Sequence, residues 1–216
     1  MADPPEGLPR QRRGTTPQMR ARYPDFDVLE QTGHWDDATR EVVLGRLETP
    51  PLRFFTEAEA ATLRAFCDVV LAQDREPRIP VLEHVDAKLA AGKGEGYRYA
   101  DLPEDGETWR RTARGLDAAG FAEAGHDTRV EICEAFAAGR LDLGGIDASR
   151  AWSVVMRDAL SAFYAHPWAW NEIGFGGPAY PRGYARLGVG LSERWEGEEA
   201  FALDPVADVR LRGLER

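Results

Sequence analysis

Apolar residues recur along the middle of the chain at the three- and four-residue spacing that one face of an α-helix requires. The strongest pattern runs from Trp152 to Phe163, where apolar side chains stand at i, i+3, i+4, i+7, i+8 and i+11. A stripe of this kind packs against other helices. The pattern therefore predicts a core helix whose inward positions are Trp152, Val155, Met156, Ala159, Leu160 and Phe163.

Four other segments carry the same periodicity, and residues that start or stop helices bound each of them. The first begins at Thr56, which forms a capping-box sequence with Glu59. The second starts at Val81 and is stopped by Gly92. The third is expected over residues 105–120 and the fourth over residues 128–138. The inward positions of the fourth are Val130, Cys133, Phe136 and Ala137.

These patterns predict an all-α fold, because no segment of comparable length alternates in the period of two that strands require. We expect a helical bundle of about five principal helices within a domain at residues 53–190. Residues 1–52 form an irregular N-terminal arm with one short helix from about Asp37 to Leu47, capped by Asp36. The C-terminal part is rich in Gly, Pro and aromatic residues, and residues 191–216 form a charged tail.

Charge and hydropathy exclude two classes of partner. The net charge of −10 argues against nucleic acid, whose phosphates need a basic surface. No apolar run reaches the roughly 18 residues that insertion into a bilayer requires. Arg12 and Arg13 are followed by polar residues rather than by the apolar stretch of an export signal. We therefore expect a cytoplasmic protein, which a partner could still carry out of the cell.

Candidate chemistry is sparse along the chain. The four histidines fall in four different segments, as solvated or capping residues, and give no metal-ligand spacing. Cys67 and Cys133 are predicted to pack as small apolar residues. The glycines near residue 176 match no phosphate-binding loop. We expect no cofactor, no metal and no catalytic residue, although 37 carboxylates leave open a stand-alone enzyme that uses a carboxylate pair in the bundle.

The segment from His166 to Tyr184 is different in kind, because large rings alternate there with prolines and glycines. A stiff loop loses little conformational entropy when it docks on a partner. Trp, Tyr and Arg are also the residues that dominate binding energy at interfaces. The alternative, a loop that seals its own bundle, stays open above all for the two tryptophans. The predicted partner-binding residues, which line or support the surface, are Trp168, Trp170, Phe175, Tyr180, Arg182 and Tyr184.

Three segments together resemble the gluconate 2-dehydrogenase subunit 3 family: residues 54–59, 94–99 and 166–184, of which residues 171–178 are the most specific. The similarity covers roughly residues 53–190. It implies a small subunit, without a redox centre, that helps a larger flavoprotein mature and leave the cell. The resemblance also implies that this partner is an FAD-dependent oxidoreductase of the glucose-methanol-choline type, and that a cytochrome c accepts the electrons.

This sequence departs from the many family members that carry a twin-arginine signal, since its own arginine pair lacks the apolar stretch. Two other functions stay open beside the accessory subunit. One is the stand-alone enzyme with a carboxylate pair, and the other is a free chaperone or adaptor that binds transiently.

Overall fold

The architecture is taken from a computed structural model, which describes residues 27–74, 76–94, 97, 99–173 and 175–179. Within these residues the chain forms seven α-helices and one 3-10 helix, and no strand. The all-α prediction is therefore confirmed. The domain boundaries at residues 53, 190 and 191 stay predictions, and the first half of the arm and the whole tail lie outside the described residues.

The connections between consecutive helices range from one residue to 14 residues. The 3-10 helix spans Val28–His34, and the α-helices are α1 (Asp37–Gly45), α2 (Glu57–Val70), α3 (Val81–Ala90), α4 (Asp105–Ala118), α5 (His126–Ala137), α6 (Ala148–Ala165) and α7 (Pro167–Ile173). The five principal helices predicted from the sequence are α2 to α6. The centre of the bundle is α6, which packs against α3, α4, α5 and α7, while α2 covers the other sides of α3, α4 and α5.

Side chains before three of the helices fix where they begin. The carboxylate of Asp36 accepts a hydrogen bond from the backbone N–H of Thr39, 2.8 Å away, and so caps α1. Thr56 and Glu59 form the predicted capping box in both directions at the start of α2. Asp147 caps α6 through the N–H of Arg150. Each cap satisfies a donor that the helix itself leaves unpaired.

The core is rich in aromatic side chains. Phe66 of α2 lies at the centre of a cluster, with the rings of Phe136 and Trp152 each 6.0 Å away and that of Phe121 at 6.3 Å. Cys67 and Cys133 are buried among these groups, as predicted, and burial raises the pKa of both thiols. Neither thiol is therefore a thiolate nucleophile near neutral pH.

The buried face of α6 is rotated from the predicted stripe. Leu160 was predicted to face inward, and that prediction is wrong, since its side chain is 39% exposed. The face instead includes Ala151, Val154 and Asp158, all buried. The predicted stripe was drawn from apolar residues alone and so left out Asp158. It was therefore displaced toward the side of Leu160. Ala137, also predicted inward, is exposed because α5 ends there.

Two buried carboxylates hold the helices and their connections together. Asp86 of α3 accepts hydrogen bonds from three consecutive backbone N–H groups at residues 53–55, at 2.6, 2.9 and 2.8 Å. It thereby fixes the chain that leads into α2. Asp158 of α6 accepts from Lys88 of α3 and from the indole of Trp109 of α4, both at 3.0 Å. A carboxylate without exposure to water needs such partners to stay charged.

The beginning of the aromatic segment was predicted to be a loop, and this prediction is wrong. Residues Pro167–Ile173 form the short helix α7. Proline suits the first helical turn, where its missing N–H costs no hydrogen bond. Seven residues are too few for apolar periodicity to indicate a helix.

Candidate partner-binding site

The turn from α6 into α7 is built on His166, whose side chain is almost completely buried. Its Nδ1 accepts a hydrogen bond from the backbone N–H of Trp168, 3.2 Å away. The ring therefore caps the first turn of α7, in the way that a serine or aspartate caps a longer helix. The imidazole also packs edge-on against the indole of Trp168, with 4.9 Å between the ring centres.

The two tryptophans of α7 face the bundle. Trp168 is half-buried and packs against the core. Trp170 is only 6% exposed, and its indole N–H donates to the carbonyl oxygen of Tyr164, 2.6 Å away. The guanidinium of Arg46 lies 5.7 Å from the centre of the Trp170 ring and also donates to the carbonyl of Ala165. The two indoles thus fix α7 on α6.

Asn171 connects α7 to the N-terminal 3-10 helix. Its side-chain oxygen accepts from the backbone N–H of Val28 at 2.8 Å, and its amide nitrogen donates to Asp27 at 3.1 Å. Gly177 allows the segment after α7 to approach the same 3-10 helix closely. A Cβ on this residue would lie 2.7 Å from Cγ2 of Val28 and 3.3 Å from the ring of Trp35, and its φ of +79° also favours glycine.

Sequence reasoning missed these two roles. Asn171 and Gly177 belong to the family-like segment 171–178, but the sequence alone gave no partner for either of them. Only the knowledge that Asn171 and Gly177 both contact Val28 of the arm could have identified these roles. A single sequence does not show these contacts.

Phe175 forms the exposed end of this assembly. Its backbone N–H donates to the carbonyl of Trp170, and its ring packs edge-on against that indole with 5.4 Å between centres. Although supported in this way, the Phe175 side chain is 45% exposed, and Ile173 beside it is 44% exposed. On α6, Leu160 and Tyr164 stand four residues apart on one face, each 39% exposed. We call these four residues the α6–α7 apolar surface.

The predicted partner-binding residues therefore divide into two groups. Trp168, Trp170 and Phe175 lie together, with the tryptophans beneath and Phe175 at the surface. Tyr180, Arg182 and Tyr184 lie outside the described residues, so their part in binding stays a prediction.

A concave region lies where the end of α3 faces the start of α4. This groove has a volume of about 720 Å³, and its lining includes Lys93, Tyr97, Asp105 and Arg110. This groove matters for the alternative of an enzyme with a carboxylate pair, because one of its lining residues is the carboxylate Asp105. Asp105 and the buried Asp158 both bond to Arg157, at 3.1 and 3.4 Å.

Asp158 also holds Lys88, so two carboxylates and two cations are joined in one network. Such mutual neutralisation is typical of a structural network at the junction of three helices. It gives the enzyme alternative no specific support. In the described part of the chain, no three His, Cys, Asp or Glu side chains are grouped so that they could hold a metal ion.

The described helices include none that is both long enough and apolar enough to cross a membrane. The described part of the chain is an all-helical bundle that carries the α6–α7 apolar surface. The chain belongs to the gluconate 2-dehydrogenase subunit 3 family, whose model matches residues 57–177. The match confirms the resemblance inferred from the sequence.

Neither a curated protein nor a solved structure matches the chain. The family description is that of one subunit of a gluconate 2-dehydrogenase, which suggests an accessory subunit and implies a complex with a larger dehydrogenase subunit. The matched residues end at Gly177, so they include α2 to α7 and the exposed Phe175.

Proposed function

We propose that the protein is a non-catalytic accessory subunit that binds, and helps to mature or stabilise, a larger flavin-dependent dehydrogenase. The partner proposed is an FAD-dependent oxidoreductase of the glucose-methanol-choline type that acts on a sugar, a sugar acid or another alcohol. A cytochrome c is the proposed further member of the complex. Membership of the subunit 3 family supports the accessory role.

The observation that carries the proposal is the α6–α7 apolar surface. Three large apolar side chains are exposed on α6 and α7 and a fourth, Phe175, directly after α7, and hydrogen bonds and buried indoles hold the helices in place. An exposed apolar side chain on a rigid support can bind a partner at little cost in conformational entropy. Trp168 and Trp170 support this surface from beneath, and Tyr180, Arg182 and Tyr184 are proposed to extend it.

The test co-expresses the chain with a flavin-dependent dehydrogenase of the proposed type from the same organism, and analyses the pair by size exclusion and by titration of the purified subunits. Phe175→Ala is expected to weaken binding by about 1–3 kcal/mol, the usual range for an aromatic residue at the centre of an interface. The melting temperature of the free chain should change little, because the Phe175 ring is 45% exposed.

Tyr97→Ala is the matched control, since it removes another exposed aromatic ring from the connection between α3 and α4. Binding should be unchanged in this variant. Equal affinities for wild type, Phe175→Ala and Tyr97→Ala would place the interface elsewhere. A chain that never co-purifies with the flavoprotein would contradict the accessory role and favour a free adaptor.

A further inference from the structure

His166 stands at the hinge between α6 and α7, and its cap on α7 depends on its protonation state. Nδ1 accepts a hydrogen bond from the backbone N–H of Trp168. A ring nitrogen can accept a hydrogen bond only when it carries no proton. The observed cap therefore requires the neutral imidazole. A proton on Nδ1 would remove the acceptor and place a positive charge at the N-terminal end of α7, which the helix dipole disfavours.

The surroundings of the ring add to this requirement. His166 is 1% exposed, and the ring of His84 from α3 lies 6.3 Å away, centre to centre. Nε2 of His84 is buried and has no hydrogen-bond partner among the residues that the structure describes. The guanidinium of Arg46 approaches from the end of α1 and is fixed to the carbonyl of Ala165 at 3.1 Å.

The charged groups that face His166 oppose its protonation, and those that face His84 act in both directions. The guanidinium of Arg46 acts against the charge of both histidines, whereas a hydrogen bond with the Arg46 backbone favours a charged His84. Glu83, which would favour a charged His84, is held by Arg64 at 2.5 Å. Burial, together with His84 and Arg46, lowers the pKa of His166 to about 4. Burial also lowers the pKa of His84.

We propose that His166 is an acid-sensitive latch: protonation of its ring releases α7, with the 3-10 helix that Asn171 holds, while the bundle of α2 to α6 stays folded. The uncapped helix has only seven residues and cannot persist without its contacts. Its release frees the side chain of Asn171 from Val28 and Asp27.

The direction of the effect follows from the two pKa values. In the released state His166 regains the ordinary pKa of 6.5, whereas in the latched state the pKa is about 4. Between these limits the released state binds a proton that the latched state does not. The latch is therefore strongest above pH 6.5 and weakens as the pH falls toward 4. For one linked proton, the equilibrium for release rises by up to about tenfold per pH unit.

Hydrogen exchange measured by mass spectrometry on the purified full chain tests the latch without any partner. The peptide over residues 167–173 is compared with one over residues 57–70, at several values between about pH 7.5 and 4.5 and after correction for intrinsic exchange. In the wild type, protection of residues 167–173 should fall by up to about tenfold per pH unit below about 6.5. Residues 57–70 should stay protected.

His166→Asn is the matched variant, because an asparagine oxygen can cap the helix and does not titrate in this range. Its α7 should keep the same protection at every pH. The same fall in the variant as in the wild type, or loss of both peptides together, would overturn the latch.

A nuclear magnetic resonance titration of the His166 ring in the wild type gives an answer that does not depend on the variant. A pKa well below 6.5 that coincides with the loss of the Trp168 amide signal supports the latch. An ordinary pKa with α7 still protected contradicts it.

The consequence for partner binding rests on the function proposed above: acid would also separate the complex, because α7 supports the α6–α7 apolar surface. The two proposals fail separately. Exchange of the free chain reports the latch alone, and binding of Phe175→Ala near neutral pH reports the interface alone.

Discussion

Asp86 satisfies three backbone N–H groups with one side chain, and none of its surface is exposed. These donors belong to Arg53, Phe54 and Phe55, in a stretch without a helix of its own. A buried backbone donor that loses its acceptor costs about 1–3 kcal/mol. The carboxylate therefore contributes to stability through the chain it organises rather than through a charged partner.

Asp86→Ala should lower the free energy of unfolding by about 3 kcal/mol, because it leaves one buried and two partly buried backbone donors without an acceptor. Urea denaturation followed by circular dichroism measures the change. Asp117→Ala, at an exposed position on α4, is the control and should change stability by less than about 0.5 kcal/mol. Similar losses in the two variants would show that the three hydrogen bonds do not stabilise the fold.

At the scale of the elements, the contact between the segment after α7 and the 3-10 helix depends on a close approach at Gly177. Gly145 provides a comparison, because it also has a positive φ, of +87°, but has nothing within 4 Å of a Cβ. A substitution at either glycine is strained by the positive φ, but only at Gly177 does the added Cβ collide with Val28.

Gly177→Ala is expected to loosen the 3-10 helix, whereas Gly145→Ala should show only the conformational cost of about 1–2 kcal/mol. Hydrogen exchange of residues 28–34 is the measurement. Protection there should fall in Gly177→Ala and stay unchanged in Gly145→Ala. Unchanged protection in both variants would mean that Val28 moves aside at no cost.

At the scale of the whole molecule, Asp158 joins three helices at the centre of the bundle. Its carboxylate holds Lys88 of α3, Trp109 of α4 and Arg157 of its own helix. An interaction of this kind depends on burial, since exposed ion pairs contribute only about 0–1 kcal/mol.

Asp158→Asn should destabilise the fold by about 2–3 kcal/mol, because Lys88 and the indole of Trp109 lose a charged hydrogen-bond acceptor. Asp101→Asn is the control, since Asp101 pairs with Arg150 at the surface and its side chain is 54% exposed. That change should cost less than about 1 kcal/mol. Thermal denaturation of both variants measures the difference in stability, and equal melting temperatures would contradict a central role for Asp158.

Apolar periodicity was sufficient to predict the five principal helices, and capping sequences located the starts of α1 and α2. Both signals are local, so one sequence contains them. The anchors Asp86, Asp158 and Asn171 were not predicted, because a polar residue that is buried and paired looks the same in sequence as one that faces water. Apart from Arg157, the chain neighbour of Asp158, their partners lie at least 31 residues away. The packing of Trp168 and Trp170 beneath Phe175 agrees with the alternative that the sequence left open for these two residues, a segment that packs on its own bundle.

The hydrogen bond between Asn171 and Val28 joins residues that are 143 positions apart in the chain. Closing so long a loop costs entropy that few local contacts repay. We therefore expect this contact to form after the transition state of folding, once α2 to α6 have assembled. Asn171→Ala should then accelerate unfolding and leave the folding rate nearly unchanged. Stopped-flow kinetics would reveal this, and a slower folding rate would instead place the contact in the folding nucleus.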